Sequence, residues 1–143
     1  DTDVLNVLRE HKAAFVNIDQ PAIGRSIPPT SHVTAPFTYL RLHGRNYETW
    51  FQEDVGRNAR YNYLYPPKEM HQLGSLVNAL DEKAETTYVV FNNHFRGQAV
   101  VNGFQLLFEI TKKPQRVPPE LMQTYPELQS IARELPGRTM DLF

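Results

Sequence analysis

The sequence predicts an α/β protein with a parallel sheet and helices packed outside it. Three observations carry that expectation. Helical and strand-like segments alternate along the chain in the order helix, strand, loop, strand, loop, helix, strand, helix, helix, the pattern of a sheet whose strands are joined by helical crossovers. Tyr88 to Phe91 is a short apolar run rich in β-branched and aromatic residues, which suits a strand covered on both faces. It stops at the polar run Asn92, Asn93, His94, Arg96, Gly97, after which apolar residues recur at helical spacing.

From the amino end, Val4, Leu5, Val7 and Leu8 oppose Arg9, Glu10 and Lys12, the signature of a helix, with Asp3 available as its cap. Ala13 to Ile18 follows as a strand, with Asp19 at its carboxyl end before Gln20 and Pro21 stop the pairing. Residues 21 to 36 carry four prolines and several Ser and Thr and read as a surface loop. Phe37 to Leu42 is the second strand, ending at His43, Gly44, Arg45 and Asn46. A long polar loop then runs through Tyr47, Trp50, Arg57 and Arg60; loops of such length are often functional.

Pro66 and Pro67 open a helix in which Met70, Leu73, Val77 and Leu80 recur at three- and four-residue spacing. The third strand spans Thr87 to Phe91, and a helix from about Gly97 to Lys112 carries the stripe Val100, Val101, Phe104, Leu107 and Phe108. Lys112 and Lys113 complement its negative end. Pro118 and Pro119 open a last helix to about Leu135, with Leu121, Leu128, Ile131 and Leu135 apolar.

With 143 residues and 41% hydrophobic content, the chain suits one domain with one core. Fifteen basic against sixteen acidic residues, a formal charge of -1, provide no global field for nucleic acid or an acidic membrane. The absence of cysteine excludes disulfides, thiolate metal sites and cysteine nucleophiles, and is compatible with a cytoplasmic protein. No apolar run approaches the roughly 18 residues of a membrane span. The numbering starts at Asp1 rather than Met, and three parallel strands leave two open edges and a bare face. The expectation is therefore a fragment or processed form, whose sheet is completed by upstream strands of the same protein or by a second copy.

YLRLHGRN at 39 to 46, YNYLY at 61 to 65 and VVFNNHFRGQAVVNG at 89 to 103 together resemble the closing half of the YecE-like family, the domain of unknown function numbered seventy-two. The resemblance covers about residues 3 to 112. It implies a (β/α)8 TIM barrel of which this chain carries about the last three strands and their helices. Residues 1–113 would be the carboxyl-terminal part of the barrel-like domain and 114–143 a proline-rich helical extension, to which the resemblance gives no role. In such barrels the reacting groups sit at the carboxyl ends of the strands, which would gather Asp19, Arg41, His43, Arg45, Asn92, Asn93 and His94 at one mouth. The family brings no established catalytic assignment.

The residues themselves leave alternatives open. Arg41 shares a strand face with Tyr39 and His43; if interior, it needs an acidic partner, either Asp19 or an acidic residue from the missing half, in a structural ion pair, or else an anionic ligand. His43 and His94 suit proton transfer, with Asp19 as the third candidate catalytic group. There is no HxH or HExxH spacing, so no metal is assigned, and the residues leave any cofactor open. Asn92 and Asn93 read as ligand contacts or as ties of the turn, Gly44 and Gly97 as tight-turn residues. Arg45, Arg57, Arg60 and Arg96 favour capture of phosphate or carboxylate, unless Glu48, Glu53 and Asp54 neutralise them. Trp50, Tyr61, Tyr63 and Tyr65 either stack on a sugar or base or anchor the loop. The resulting expectation is an anionic or phosphorylated small molecule held by Arg45, Arg96 and the N–H groups after Gly97, with His43 or His94 moving a proton and Asn92 orienting the substrate. Arg41 and Asn93 complete the candidate ligand set. The alternative is a nucleic-acid-binding module using the loop arginines and aromatics, which the net charge disfavours.

Overall fold

The computed structural model describes residues 2–133 apart from positions 25, 51, 53 and 55 and the side chain of residue 57. Its elements are α1 (Thr2–Glu10), β1 (Val16–Asp19), β2 (Phe37–Leu42), α2 (Arg57–Arg60), α3 (Pro67–Asp81), β3 (Thr86–Phe91), α4 (Gln98–Thr111) and α5 (Pro119–Thr124), with 3-10 turns at Phe95–Gly97 and Pro126–Ser130. The strands form one parallel sheet in the order β1-β2-β3. The predicted α/β class and the parallel sheet are therefore present.

Side-chain alternation divides the sheet into two unlike faces. Leu40 and Leu42 lie with Val89 and Phe91 against Met70, Leu73, Val77 and Leu80 of α3 and Leu106 of α4, which make the main core. The four apolar positions predicted for α3 are thus all buried. The other face carries Val16, Phe37 and Tyr88, which are 43%, 43% and 53% exposed, and no described element covers it. Phe37 and Tyr88 meet edge to face there, with ring centroids 6.4 Å apart.

Several boundaries differ from the sequence reading, each for a local reason. The first strand starts at Val16 instead of Ala13, because the Thr34 hydroxyl takes over the backbone: it accepts from Phe15 N at 2.8 Å and donates to Ala13 O at 2.7 Å. Asp3 lies inside the first turn of α1 rather than capping it. The loop after β1 is tied to the buried Asn17, whose Oδ1 accepts from Thr30 Oγ1 and His32 N and whose Nδ2 donates to His32 O, each at 2.9 Å. The loop after β2 contains the short helix α2, which was not predicted.

The stripe expected on α4 is also corrected. Val100 and Leu107 are exposed, whereas Val101, Asn102 and Leu106 are buried. The helix is packed on two sides: Leu106 faces α3, while Val101 joins Val117, Leu128 and Ile131 in a second core. The single expected core is therefore two. Lys112, at φ 53, ends α4, and its Nζ lies 2.7 Å from Glu109 Oε1. The last predicted helix breaks at Tyr125–Pro126 into α5 and a 3-10 turn, since the proline at 126 removes a helical donor; Leu135 lies outside the described residues.

Candidate functional site at the strand ends

The parallel order brings the carboxyl ends of all three strands to one edge, stitched by His43 N to Asp19 O at 2.9 Å and Asn92 N to Leu42 O at 2.7 Å. Two groups of side chains form there, separated by the plane of the sheet.

Behind the sheet, on the helix side, is a buried ion-pair network. Asp19, 1% exposed, accepts from Arg45 Nη2 at 2.6 Å, from Arg45 Nε at 3.0 and 3.1 Å, and from the Tyr65 hydroxyl at 2.7 Å. Arg45 Nη1 also lies 3.3 Å from Glu69 Oε1, and Glu69 Oε2 accepts from the Tyr63 hydroxyl at 2.9 Å. Burial works against the Arg45 charge, but the hydrogen bond to Asp19 and the charges of Asp19 and Glu69 outweigh it and hold the guanidinium protonated. Burial, then the Asp19 charge and hydrogen bond, push the Tyr65 phenol far above its ordinary range, so its hydroxyl stays a donor. That hydroxyl accepts in turn from Gly44 N at 2.8 Å. Gly44 has φ +89, and a Cβ there would meet Tyr63 Cβ at 2.8 Å, so only glycine fits the turn. Asp19 and Arg45, expected at the mouth, are thus committed to each other.

On the other side, Arg41, His43 and Asn92 converge. With its amide oxygen turned toward them, Asn92 Oδ1 accepts from Arg41 Nε at 3.1 Å, Arg41 Nη2 at 3.0 Å and His43 Nδ1 at 3.3 Å. Among the described residues no carboxylate comes within ion-pair distance of Arg41: Asp19 pairs with Arg45 instead, and the amide of Asn92 is the group that accepts from Arg41. Burial and then the Arg41 charge lower the pKa of His43 below 6.5, with Asp19 opposing. His43 is therefore neutral near pH 7, and the bond to Asn92 places its proton on Nδ1 and leaves the Nε2 lone pair available. His94 Nδ1 lies 2.9 Å from the Asn92 carbonyl and donates to it.

The aromatic loop closes over this group. Asn46 Nδ2 and Thr49 Oγ1 both donate to the Ala59 carbonyl at 3.0 Å, tying the start of the loop to α2. Tyr61 then packs against His43 (centroids 6.2 Å) and His94 (5.4 Å), and Trp50 meets both His43 (6.0 Å) and Tyr61 (6.3 Å). These rings anchor the loop to the histidines.

The two asparagines divide. Asn92 faces the site, whereas the fully buried Asn93 turns inward, donating to Tyr63 O at 2.7 Å and Asn102 Oδ1 at 2.8 Å. Asn102, also fully buried, bonds Tyr65 N and O at 3.1 and 3.2 Å and so ties α4 to the network. Arg96 is exposed, with its guanidinium 5.2 Å from the Phe95 ring centroid, and it sits at φ 50 just before Gly97 at φ +82. Arg60 Nη2 lies 3.5 Å from the Gln52 carbonyl, and the Arg57 side chain lies outside the described residues. Among the described residues no group of three or more His, Asp or Glu could hold a metal ion. No helix among them is long and apolar enough to cross a membrane.

Sequence reasoning did not find Asn17, Tyr65, Glu69 or Asn102 as organising residues. A polar residue between apolar strand positions, as at Asn17 in VNI, is the one signal that could have marked it.

The family model described as "Protein of unknown function DUF72" matches residues 1–129. UPF0759 protein YunF of Bacillus subtilis is 36% identical over 94 residues, covering 62% of this chain and 33% of that protein. The crystal structure of a DUF72 family protein from Thermotoga maritima is similar with TM-score 0.68 and 36% identity, over 73% of this chain and 39% of that one. A DUF72 family protein from Enterococcus faecalis is similar with TM-score 0.71 and 27% identity, over 82% of this chain and 46% of that one. The chain thus spans between a third and a half of the length of these relatives. The match extends through residue 129, beyond the end near 112 expected from the sequence, so most of the described carboxyl-terminal segment falls within it.

Proposed function

This chain belongs to the DUF72 family, and from that premise we propose that it supplies part of the strand-end mouth of a (β/α)8 barrel that binds an anionic, for example phosphorylated, small molecule. The barrel reading is supported by three parallel strands in chain order, helices on one face and an apolar opposite face, which a closed barrel would fill as its interior. The remaining strands would come from upstream sequence of the same protein, with residues 1–113 as the barrel part and 114–143 as its extension. A cytoplasmic setting belongs to the same proposal.

The observation that carries the ligand reading is the shared Asn92 acceptor, which aligns a guanidinium that has no carboxylate partner among the described residues beside a neutral histidine. Arg41 holds the anion, in the place first expected for Arg45, whose charge is matched by Asp19. His43 Nε2 accepts a proton from the bound molecule, and His94 Nε2 is a second acceptor on the far side of the loop. Asn92 is the positioning residue that fixes the His43 tautomer. Such a pair suits hydrolysis, isomerisation or elimination next to an anionic group.

The test is a thermal-shift screen of sugar phosphates, nucleotides and inorganic phosphate on the natural protein, repeated with Arg41→Ala. A ligand whose stabilisation disappears in the variant supports the proposal; no stabilisation by any compound on the wild type overturns it. A response to single-stranded RNA or DNA that collapses with rising salt would favour a nucleic-acid interface instead.

A further inference from the structure

Residues 115–133, without a role in the sequence reading, fold into a closed hook against α4. Gln115 N donates to Ile131 O at 2.7 Å and Arg133 N to Gln115 O at 2.9 Å, closing its two ends on each other. Val117 and Leu128, both fully buried, fasten the hook to Val101 of α4.

From this hook one polar group reaches the strand ends. The Tyr125 hydroxyl donates to the Arg96 carbonyl at 2.8 Å, and Leu121 Cδ1 lies 3.9 Å from the position a Cβ on Gly97 would take. The two residues contacted are the pair with left-handed backbone between His94 and α4, at φ 50 and +82. A non-glycine residue in that region costs about 1 kcal/mol and persists only where neighbours over-determine it. The Tyr125 hydrogen bond falls on the carbonyl of this left-handed residue and favours the conformation observed. The turn so held starts at His94 and ends at the first N–H groups of α4.

We propose that residues 115–133 are a built part of the strand-end site, with Tyr125 as the positioning residue that fixes the His94–Gln98 turn. The proposal rests on the anion reading above, since the turn it fixes carries His94, the second proton acceptor of that reading. The match of the family model through residue 129 includes Tyr125 and Leu128.

The experiment compares the natural protein with Tyr125→Phe, which keeps the ring and removes the donor, and Leu128→Ala, which loosens the hook but keeps the hydroxyl. The first readout needs no ligand: amide exchange at Gly97 and Gln98 and the His94 ring resonances by NMR. Tyr125→Phe should speed exchange at both amides by about threefold to tenfold, the worth of one hydrogen bond, and shift the His94 signals while the melting midpoint falls by no more than about 2–5 °C. Unchanged exchange and unchanged His94 signals in Tyr125→Phe overturn the proposal. The second readout is the dissociation constant for inorganic phosphate, expected to rise several-fold in Tyr125→Phe. If phosphate fails to bind the wild type, the anion reading falls, while the exchange data still decide the role of the hook. Leu128→Ala should lower the midpoint and speed exchange at the same amides; exchange unaffected despite a lower midpoint would show that the hook and the turn are independent.

Discussion

Asp19 is the residue on which the two readings of the strand edge diverge most sharply. As a catalytic carboxylate, its conversion to asparagine would abolish chemistry and leave the fold intact. The geometry predicts the reverse. Asp19→Asn removes the charge that faces Arg45 at 2.6 Å and replaces one acceptor oxygen by a donor aimed at Arg45 Nη2 or the Tyr65 hydroxyl. Breaking a buried pair by removing one partner costs about 3–5 kcal/mol, because the other charge stays behind. Here Glu69 at 3.3 Å and the 19% exposure of the Arg45 side chain relieve part of that, so about 3 kcal/mol is the expectation. For a chain of this size that is a fall of roughly 6–12 °C in melting temperature. Tyr65→Phe, which removes one neutral donor, should cost only about 1 kcal/mol. The assay is urea unfolding followed by far-UV circular dichroism, with the midpoint and slope fitted separately. A loss below 1 kcal/mol for Asp19→Asn, with ligand turnover abolished, would refute the structural assignment.

Three further outcomes follow from the same geometry. His43 has a lowered pKa in the folded chain, so its contribution to stability is fully present above its unfolded value of 6.5 and is lost as pH falls through the folded value; Arg41→Ala should raise the His43 titration midpoint measured by NMR. Gly44→Ala should destabilise by about 2 kcal/mol or more in denaturant melts, since the added Cβ meets Tyr63 at 2.8 Å in a left-handed backbone. Gly74→Ala should cost less, under about 1 kcal/mol, because the Cβ there meets the Glu109 side chain at 2.7 Å, which can swing away and take the Lys112 contact with it.

What was legible in the sequence was whatever follows from period and punctuation. The α3 positions Met70, Leu73, Val77 and Leu80 are visible because one core covers one face, and Pro66–Pro67 marks where the helix starts. The strand ends were legible because each apolar run stops at polar residues. Less legible was which side of the sheet those residues occupy. Asp19 alternates with Ile18 and falls behind the sheet, beside Tyr65, while Arg41 falls in front; that choice depends on which face α3 covers, a tertiary fact. The α4 stripe failed for a related reason. Periodicity assumes one buried face, and α4 is packed on two sides, which lets Asn102 be buried and Val100 exposed. Side-chain substitution for a ladder, as Thr34 does for Ala13 and Phe15, has no periodic signature at all.

The bare sheet face also governs how the folded state of this chain has to be recognised in solution. Val16 and Tyr88 flank Tyr39 in one row across the sheet, with Phe37 two residues before Tyr39, so a fluorescent dye such as ANS, which reports accessible apolar surface, should light up on residues 1–143 by themselves and stay dark where further strands cover that face. Dye fluorescence, ordinarily a marker of loosened packing, would then accompany intact near-UV dichroism from rings such as Tyr65. For these residues taken alone, foldedness is judged by the fixed environment of the aromatic residues, and a bright dye signal marks the uncovered sheet face.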